Sequence, residues 1–143
     1  MKEPARPAGR GRRASRRKAL EILYRADVTG EPPSAVLDAL ETGGEHVPSF
    51  TRELVAGVED RLPELDALIG EHAEDWTVER MAVVDRNVLR LACFELLHRP
   101  DVPTGAAIAE AVEAAKELST AESGRFVNGI LGRIARERAS GQG

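Results

Sequence analysis

An all-α fold is predicted for this 143-residue chain by three observations. Apolar residues recur at three- and four-residue spacing in seven segments. No hairpin dipeptide or long alternating run marks a strand pair. Only five aromatic residues occur (three Phe, one Trp, one Tyr) within an apolar fraction of 42%, so Ala, Leu and Val must build the core. That composition suits close-packed helices better than a β-sandwich or barrel. The length fits one domain with a core that needs no disulfide or metal staple.

The first helix is expected from Ala14, where Leu20, Leu23 and Tyr24 recur beside Ile22 and Ala26, and Thr29-Gly30 stops it. Arg16, Arg17 and Lys18 would then occupy its opening turn, the unfavourable end of the helix dipole for cations, which hints at a nearby anion. Pro32-Pro33-Ser34 opens a second helix with Val36, Leu37 and Leu40 on one face, ended by Gly43-Gly44. Ser49 is placed to cap a third, carrying Phe50, Leu54, Val55, Val58 and Leu62 and closed by Pro63. Leu65, Leu68 and Ile69 mark a fourth, whose tail runs from His72 to Trp76 and leads to Thr77 as the next cap.

Residues 78–98 read as the most buried helix, because apolar residues from Val83 to Leu97 cover most of its circumference. Glu95 falls among Val84, Val88 and Leu91 on the helical wheel, so it needs a partner or a route to solvent. A paired structural carboxylate is the simpler reading; a catalytic acid would need a second group that the sequence does not place beside it. Arg99-Pro100-Asp101-Val102-Pro103-Thr104 is a stiff connector ending in a cap. Beyond it, Ile108, Ala111, Val112, Ala115 and Leu118 form an apolar stripe opposite Glu110, Glu113 and Glu117, which read as a solvated acidic face. Ser119-Thr120-Ala121-Glu122 has capping-box spacing for a last helix with Phe126, Val127, Ile130, Leu131 and Ile134. The domain reading is a flexible Arg-rich arm over residues 1–13, a helical domain over 14–138 and a disordered tail over 139–143.

The net charge of −4 conceals two regions of opposite sign. Residues 1–18 carry eight basic groups (Lys2, Arg6, Arg10, Arg12, Arg13, Arg16, Arg17 and Lys18) against Glu3 alone, whereas the other 125 residues carry 12 basic and 23 acidic groups. Arginine forks suit bidentate phosphate contacts and stacking on bases, so the arm points to nucleic acid. Its bland reading is a solvated tail. If it neutralises about four phosphates, affinity for single-stranded RNA should fall with a log–log salt slope of about −3.

Catalytic and metal chemistry find little support. His46, His72 and His98 lack metal-ligand spacing, and the one cysteine, Cys93, lies inside the apolar helix, where core packing explains it. No glycine-rich phosphate loop or nucleophile elbow is present. No cofactor and no metal are expected, and the chain reads as a binding module rather than an enzyme. The lone cysteine excludes an internal disulfide and fits a cytoplasmic protein, and no apolar run approaches a membrane span.

Several segments carry a resemblance. They are Arg16-Arg17-Lys18-Ala19-Leu20-Glu21-Ile22-Leu23-Tyr24, Val84-Asp85-Arg86-Asn87-Val88-Leu89-Arg90-Leu91-Ala92 with Phe94-Glu95-Leu96, Asp101-Val102-Pro103 with Ala107-Ile108-Ala109-Glu110-Ala111-Val112, and Arg125-Phe126-Val127-Asn128-Gly129-Ile130-Leu131. Over residues 12–136 the chain resembles the bacterial transcription antitermination factor NusB family, with Phe126-Val127-Asn128-Gly129 the most specific piece. The resemblance implies a non-enzymatic all-helical domain made of two small bundles. It also implies pairing with ribosomal protein NusE and binding of the single-stranded boxA element of nascent ribosomal RNA transcripts. With NusA, NusG and RNA polymerase, such a complex suppresses premature termination.

By the same resemblance, Arg12, Arg13 and Arg16, with Arg17 beside them, match the family's basic RNA-binding motif, and Arg125 and Phe126 match positions near its RNA surface. Asn128, a poor helix former in mid-helix, is a candidate for an RNA or backbone contact, and Gly129 for a close helix approach. Phe126 also fits core packing through its alignment with Ile130. Tyr24 and Asp85 match positions facing the ribosomal-protein partner, and Arg90 serves either that surface or an ion pair with Asp85. The alternative for Asp85 is an intrahelical pair with Arg86 or Arg90. Gly124 departs from a larger polar residue common in the family, which removes one RNA contact from expectation. Two rival readings remain. One is a homodimeric scaffold. The other is a domain like those preceding some ribosomal RNA cytosine methylases, although this chain ends at Gly143 without a nucleotide-binding βαβ unit.

Overall fold

The computed structural model describes residues 8–141, with side chains from Gly11 onward. Seven α-helices make up the described fold, and no strand occurs among the described residues. They are α1 (Ala8–Thr29), α2 (Pro33–Thr42), α3 (Ser49–Asp60), α4 (Leu62–His72), α5 (Val83–His98), α6 (Thr104–Leu118) and α7 (Ala121–Gly141), with a 3-10 turn over Val78–Arg80. α1, α2 and α3 pack on one another, α6 and α7 form an antiparallel pair, and α5 runs between the two groups in contact with α1, α3, α4, α6 and α7. Two small bundles thus share one central helix, which is why α5 buries Val88, Leu89, Leu91, Ala92, Cys93 and Phe94 around most of its circumference.

Local chemistry sets most boundaries. Gly30, at φ 78°, turns the chain out of α1 while its N–H donates to Ala26 O at 2.8 Å. Pro33 opens α2, and Gly44 at φ 94° follows its end. Thr120 Oγ1 accepts from the Ser123 N–H at 3.0 Å and caps α7, so the cap is Thr120 rather than the expected Ser119–Glu122 box. α6 presents Ala107, Ala111, Ala114 and Ala115 inward, and these small side chains let it lie close to its neighbours. At Gly57 on α3, an added Cβ would stand 2.1 Å from the Phe94 ring, so glycine is what lets α3 and α5 approach.

Several expectations need correction. α1 begins at Ala8, not Ala14, so Arg12 and Arg13 belong to a helix rather than to a flexible arm. Arg16, Arg17 and Lys18 therefore lie well past its first turn, and the dipole argument for a nearby anion lapses. Lys2 and Arg6 lie outside the described residues. Leu62-Pro63 starts α4 instead of ending α3, because proline is tolerated in a first helical turn. The span 78–98 breaks at Met81-Ala82. Neither Ser49, Thr77 nor Thr104 makes a side-chain capping bond. α7 continues to Gly141, through most of the expected tail.

A polar cluster ties α1, α4 and α5 together. Asp27 accepts from Arg86 Nε at 2.7 Å, Asn87 Nδ2 at 2.9 Å and Arg90 Nη1 at 3.2 Å, while Arg90 Nε and Nη2 donate to Asp66 at 2.8 and 2.9 Å. Burial alone would raise the Asp27 pKa, but its three donors outweigh that and hold it below the ordinary value.

Candidate nucleic-acid and partner interface

Arg12, Arg13, Arg16 and Arg17 are spaced i, i+1, i+4, i+5, which places them within about 140° of the α1 circumference. Each meets a carboxylate on α5, on α6 or on the connector between them. Arg12 Nη2 donates to Asp101 at 2.8 Å, Arg13 Nη2 to Glu110 at 2.8 Å and Arg17 Nη2 to Glu117 at 2.9 Å. The acidic face of α6 is thus partly engaged by α1 rather than simply solvated. Hydrogen bonding to Arg13 holds the Glu110 carboxyl below its usual range and raises the Arg13 guanidinium in turn.

Arg16 differs from its neighbours. It is 6% exposed and donates from Nε and Nη2 to Glu95, itself 2% exposed, at 2.7 to 3.0 Å. This fork pairing answers the question that Glu95 posed in the sequence and withdraws Arg16 from the accessible surface, unlike the other arginines expected to contact RNA. Arg12, Arg13 and Arg17 stay at least partly open to solvent.

Two grooves flank the first turn of α5. The first, about 480 Å³, is lined by Arg17, Leu20, Glu21, Tyr24, Val84, Asn87, Val88 and Leu118. Tyr24 (46% exposed) and Leu118 (50%) line it, and Val28 on α1 is 59% exposed. The second, about 340 Å³, lies among Trp76, Met81, Asp85, Ser123 and Phe126. Val84 faces the first groove and Asp85 the second, so the two expected partner residues Tyr24 and Asp85 border adjoining grooves rather than one.

Asp85 makes no ion pair with Arg86 or Arg90. Its Oδ2 accepts from Ser123 Oγ at 3.3 Å, and its Oδ1 is the one buried side-chain polar atom without a partner among the described residues. Burial raises its pKa despite the Ser123 bond. Arg90, expected at the partner surface or paired with Asp85, makes no pair with Asp85 and donates to Asp27 and Asp66.

Phe126 is half-buried, edge-on to Trp76 with ring centroids 6.4 Å apart, so it neither disappears into the core nor stands free. Arg125 and Asn128 are exposed on α7, and no carboxylate among the described residues pairs with Arg125. Gly129 admits no close helix; a Cβ there would meet only Arg133 Nη1 at 3.6 Å. At Gly124, by contrast, the aliphatic stem of Lys116 lies where a Cβ would stand. Sequence reasoning missed Phe50, Trp76 and Arg99. The Phe50 ring carries Arg12, Arg16 and Arg99 at 4.6, 5.6 and 5.0 Å, an arrangement from three separate elements with no local signature.

The NusB family model matches residues 13–136. A transcription antitermination protein NusB of Symbiobacterium thermophilum is 47% identical over 136 residues, covering 87% of this chain and 89% of that one. One from Thermobifida fusca is 46% identical over 137 residues, covering 92% and 96%. Among solved structures, T. maritima NusB superposes with a TM-score of 0.79 at 38% identity, covering 96% of this chain and 94% of that one. A chain from a complex of the antitermination factors NusB and NusE with double-stranded RNA superposes with a TM-score of 0.79 at 28% identity, covering 90% and 98%. With the family model spanning nearly the whole described fold and relatives this similar along most of their length, the chain belongs to the NusB family.

Proposed function

We propose that this chain is a non-catalytic RNA-binding antitermination factor that pairs with ribosomal protein NusE and binds the single-stranded boxA element of nascent ribosomal RNA transcripts. In this reading it acts with NusA, NusG and RNA polymerase to suppress premature termination. The observation that carries the reading is the arrangement of α1, which presents Arg12, Arg13 and Arg17 along one face and Tyr24 in an apolar groove further along. One helix therefore offers a phosphate-binding strip continuous with a protein-docking groove. Arg125 and Asn128, exposed on α7, with Phe126 beside them, extend the RNA surface.

Partner chemistry follows from the second groove. Asp85 is a buried carboxylate short of one donor, and a basic ribosomal protein can supply a cation or N–H there. Joining two modest surfaces in one complex raises the effective concentration of RNA at each, so neither protein needs high affinity alone. The names of the relatives and the NusB–NusE–RNA composition of the structural neighbour support the same reading.

Fluorescence anisotropy of a labelled boxA RNA, with and without NusE and beside a scrambled RNA, tests it. Sequence-selective binding strengthened by NusE is expected. Equal weak binding to both RNAs, unchanged by NusE, would contradict it. The apolar groove at Tyr24 would equally be covered by a second copy of the chain, and light scattering across concentration detects that homodimer.

A further inference from the structure

Asp101, in the turn between α5 and α6, is shared by two guanidiniums. Arg12 Nη2 donates to its Oδ2 at 2.8 Å, and Arg99 donates from Nε to Oδ1 at 3.0 Å and from Nη2 to Oδ2 at 3.1 Å. Both guanidiniums lie over the Phe50 ring, which with Arg16 brings three positive charges to one aromatic ring. Arg16 is neutralised internally by Glu95, and Arg99 has a second acceptor in Glu53, whereas Asp101 is the carboxylate that holds Arg12. Unlike the Arg16–Glu95 pair, this group is open to water: the side chains of Arg12, Arg99 and Asp101 are 33%, 21% and 46% exposed.

A phosphodiester carries the same single charge as a carboxylate and presents two oxygens to the same N–H forks. It also arrives as part of a polyanion whose binding releases counterions, an advantage that an internal carboxylate lacks. The Phe50 ring holds the planar guanidiniums in place without using their donors.

We infer that Arg12 and Arg99, supported on Phe50, form a clamp for an RNA backbone phosphate, and that Asp101 occupies this clamp as an internal competitor until the phosphate displaces it. The inference rests on the RNA-binding reading above and adds Arg99 to the RNA surface, from an element remote from the basic stretch of the sequence.

The test is an anisotropy titration of the full chain with a labelled single-stranded RNA from 50 to 200 mM salt, each variant's fold being checked by circular dichroism melting. Asp101→Asn should bind about two- to fivefold more tightly, the range set by release of an exposed ion pair. Arg99→Gln should flatten the salt slope by about 0.7 and weaken binding about eightfold at 50 mM salt, as expected for one lost phosphate contact. In an Arg12→Gln background, which lacks the guanidinium that Asp101 alone holds, the gain from Asp101→Asn should shrink to half or less. An undiminished gain there would mean that Asp101 merely repels RNA at a distance and would overturn its role as competitor. Arg99→Gln binding like the parent while Arg13→Gln weakens would overturn the clamp and leave the RNA reading intact. A parent chain that binds no RNA, with or without NusE, would overturn both. If Arg99→Gln does not fold, Arg99→Lys carries the test, since it keeps the charge and loses the fork: it should retain the salt slope and still lose affinity, and parent-like affinity would overturn the clamp.

Discussion

Arg16 and its neighbours on α1 share a residue type, a helix and an ion-paired state, yet they sit in different solvents. Arg16 meets Glu95 out of contact with water, whereas Arg12, Arg13 and Arg17 meet their carboxylates at the surface. A buried pair is costly to break because the remaining charge has no water to turn to. An exposed pair is worth little and is easily exchanged for another anion. A run of arginines that reads as one motif therefore divides into a buried structural pin between α1 and α5 and a set of surface ion pairs, which the proposed function has exchange their carboxylates for phosphate.

The largest effect should come from splitting the pin. Arg16→Ala or Glu95→Ala should cost about 3–5 kcal/mol of stability in urea denaturation. Replacing the pair together by Met and Leu should recover most of it, because apolar substitutes of similar volume leave no orphan charge. Arg13→Ala and Arg17→Ala should each leave the urea unfolding midpoint close to the parent's while weakening RNA binding. Equal costs for Arg16 and Arg13 would erase the distinction.

Next in size is the packing that sets the bundles at their spacing. Gly57→Ala places a methyl within the Phe94 ring's volume and should destabilise by about 1–3 kcal/mol, with partial rescue by Phe94→Leu. No change in melting temperature would show that α3 and α5 separate more freely than their contact indicates.

Asp85 sharpens the contrast between stability and binding. Because its folded-state pKa is raised, the folded chain holds a proton there that the unfolded chain has released, so stability gained at this site increases as pH falls through the folded-state value. Asp85→Asn should abolish that gain on acidification, leave the chain no less stable near neutrality, and weaken NusE binding. A smaller effect belongs to His72, whose Nε2 lies 2.6 Å from Glu137. Burial pushes the imidazole pKa down, but the Leu68 carbonyl and Glu137 outweigh it and the net shift is upward. The resulting stability is fully present below the unfolded value of about 6.5 and fades as pH rises through the folded-state pKa. Glu137→Ala should therefore reduce stability slightly at pH 5.5 and have almost no effect at pH 9.

Helix number and core faces were legible because the apolar period is strong from Leu20 to Ile134. The start of α1 was not. Gly9, Gly11 and Pro7 look like a mobile stretch, whereas Arg12 and Arg13 are held by Asp101 and Glu110, 89 and 97 residues away. Glu95 announced its need for a partner through its place on the wheel, but only the fold could choose Arg16 over the other basic residues. Asp85 and Arg90 are consistent with an intrahelical pair in sequence, yet Asp27 and Asp66 from other helices claim Arg90 and leave Asp85 waiting. The Tyr24 groove and the Trp76–Phe126 contact likewise arise between elements that the sequence keeps apart.

The central claim, that the exposed arginines of α1 hold RNA while the buried one holds the fold, is tested most directly by a triple variant, Arg12→Gln, Arg13→Gln and Arg17→Gln. Its boxA RNA affinity and its urea unfolding curve should be measured on the same preparation. The account predicts near-parent stability with RNA affinity lost and the salt slope reduced by about 2. Parent-like RNA affinity in a folded triple variant would contradict it.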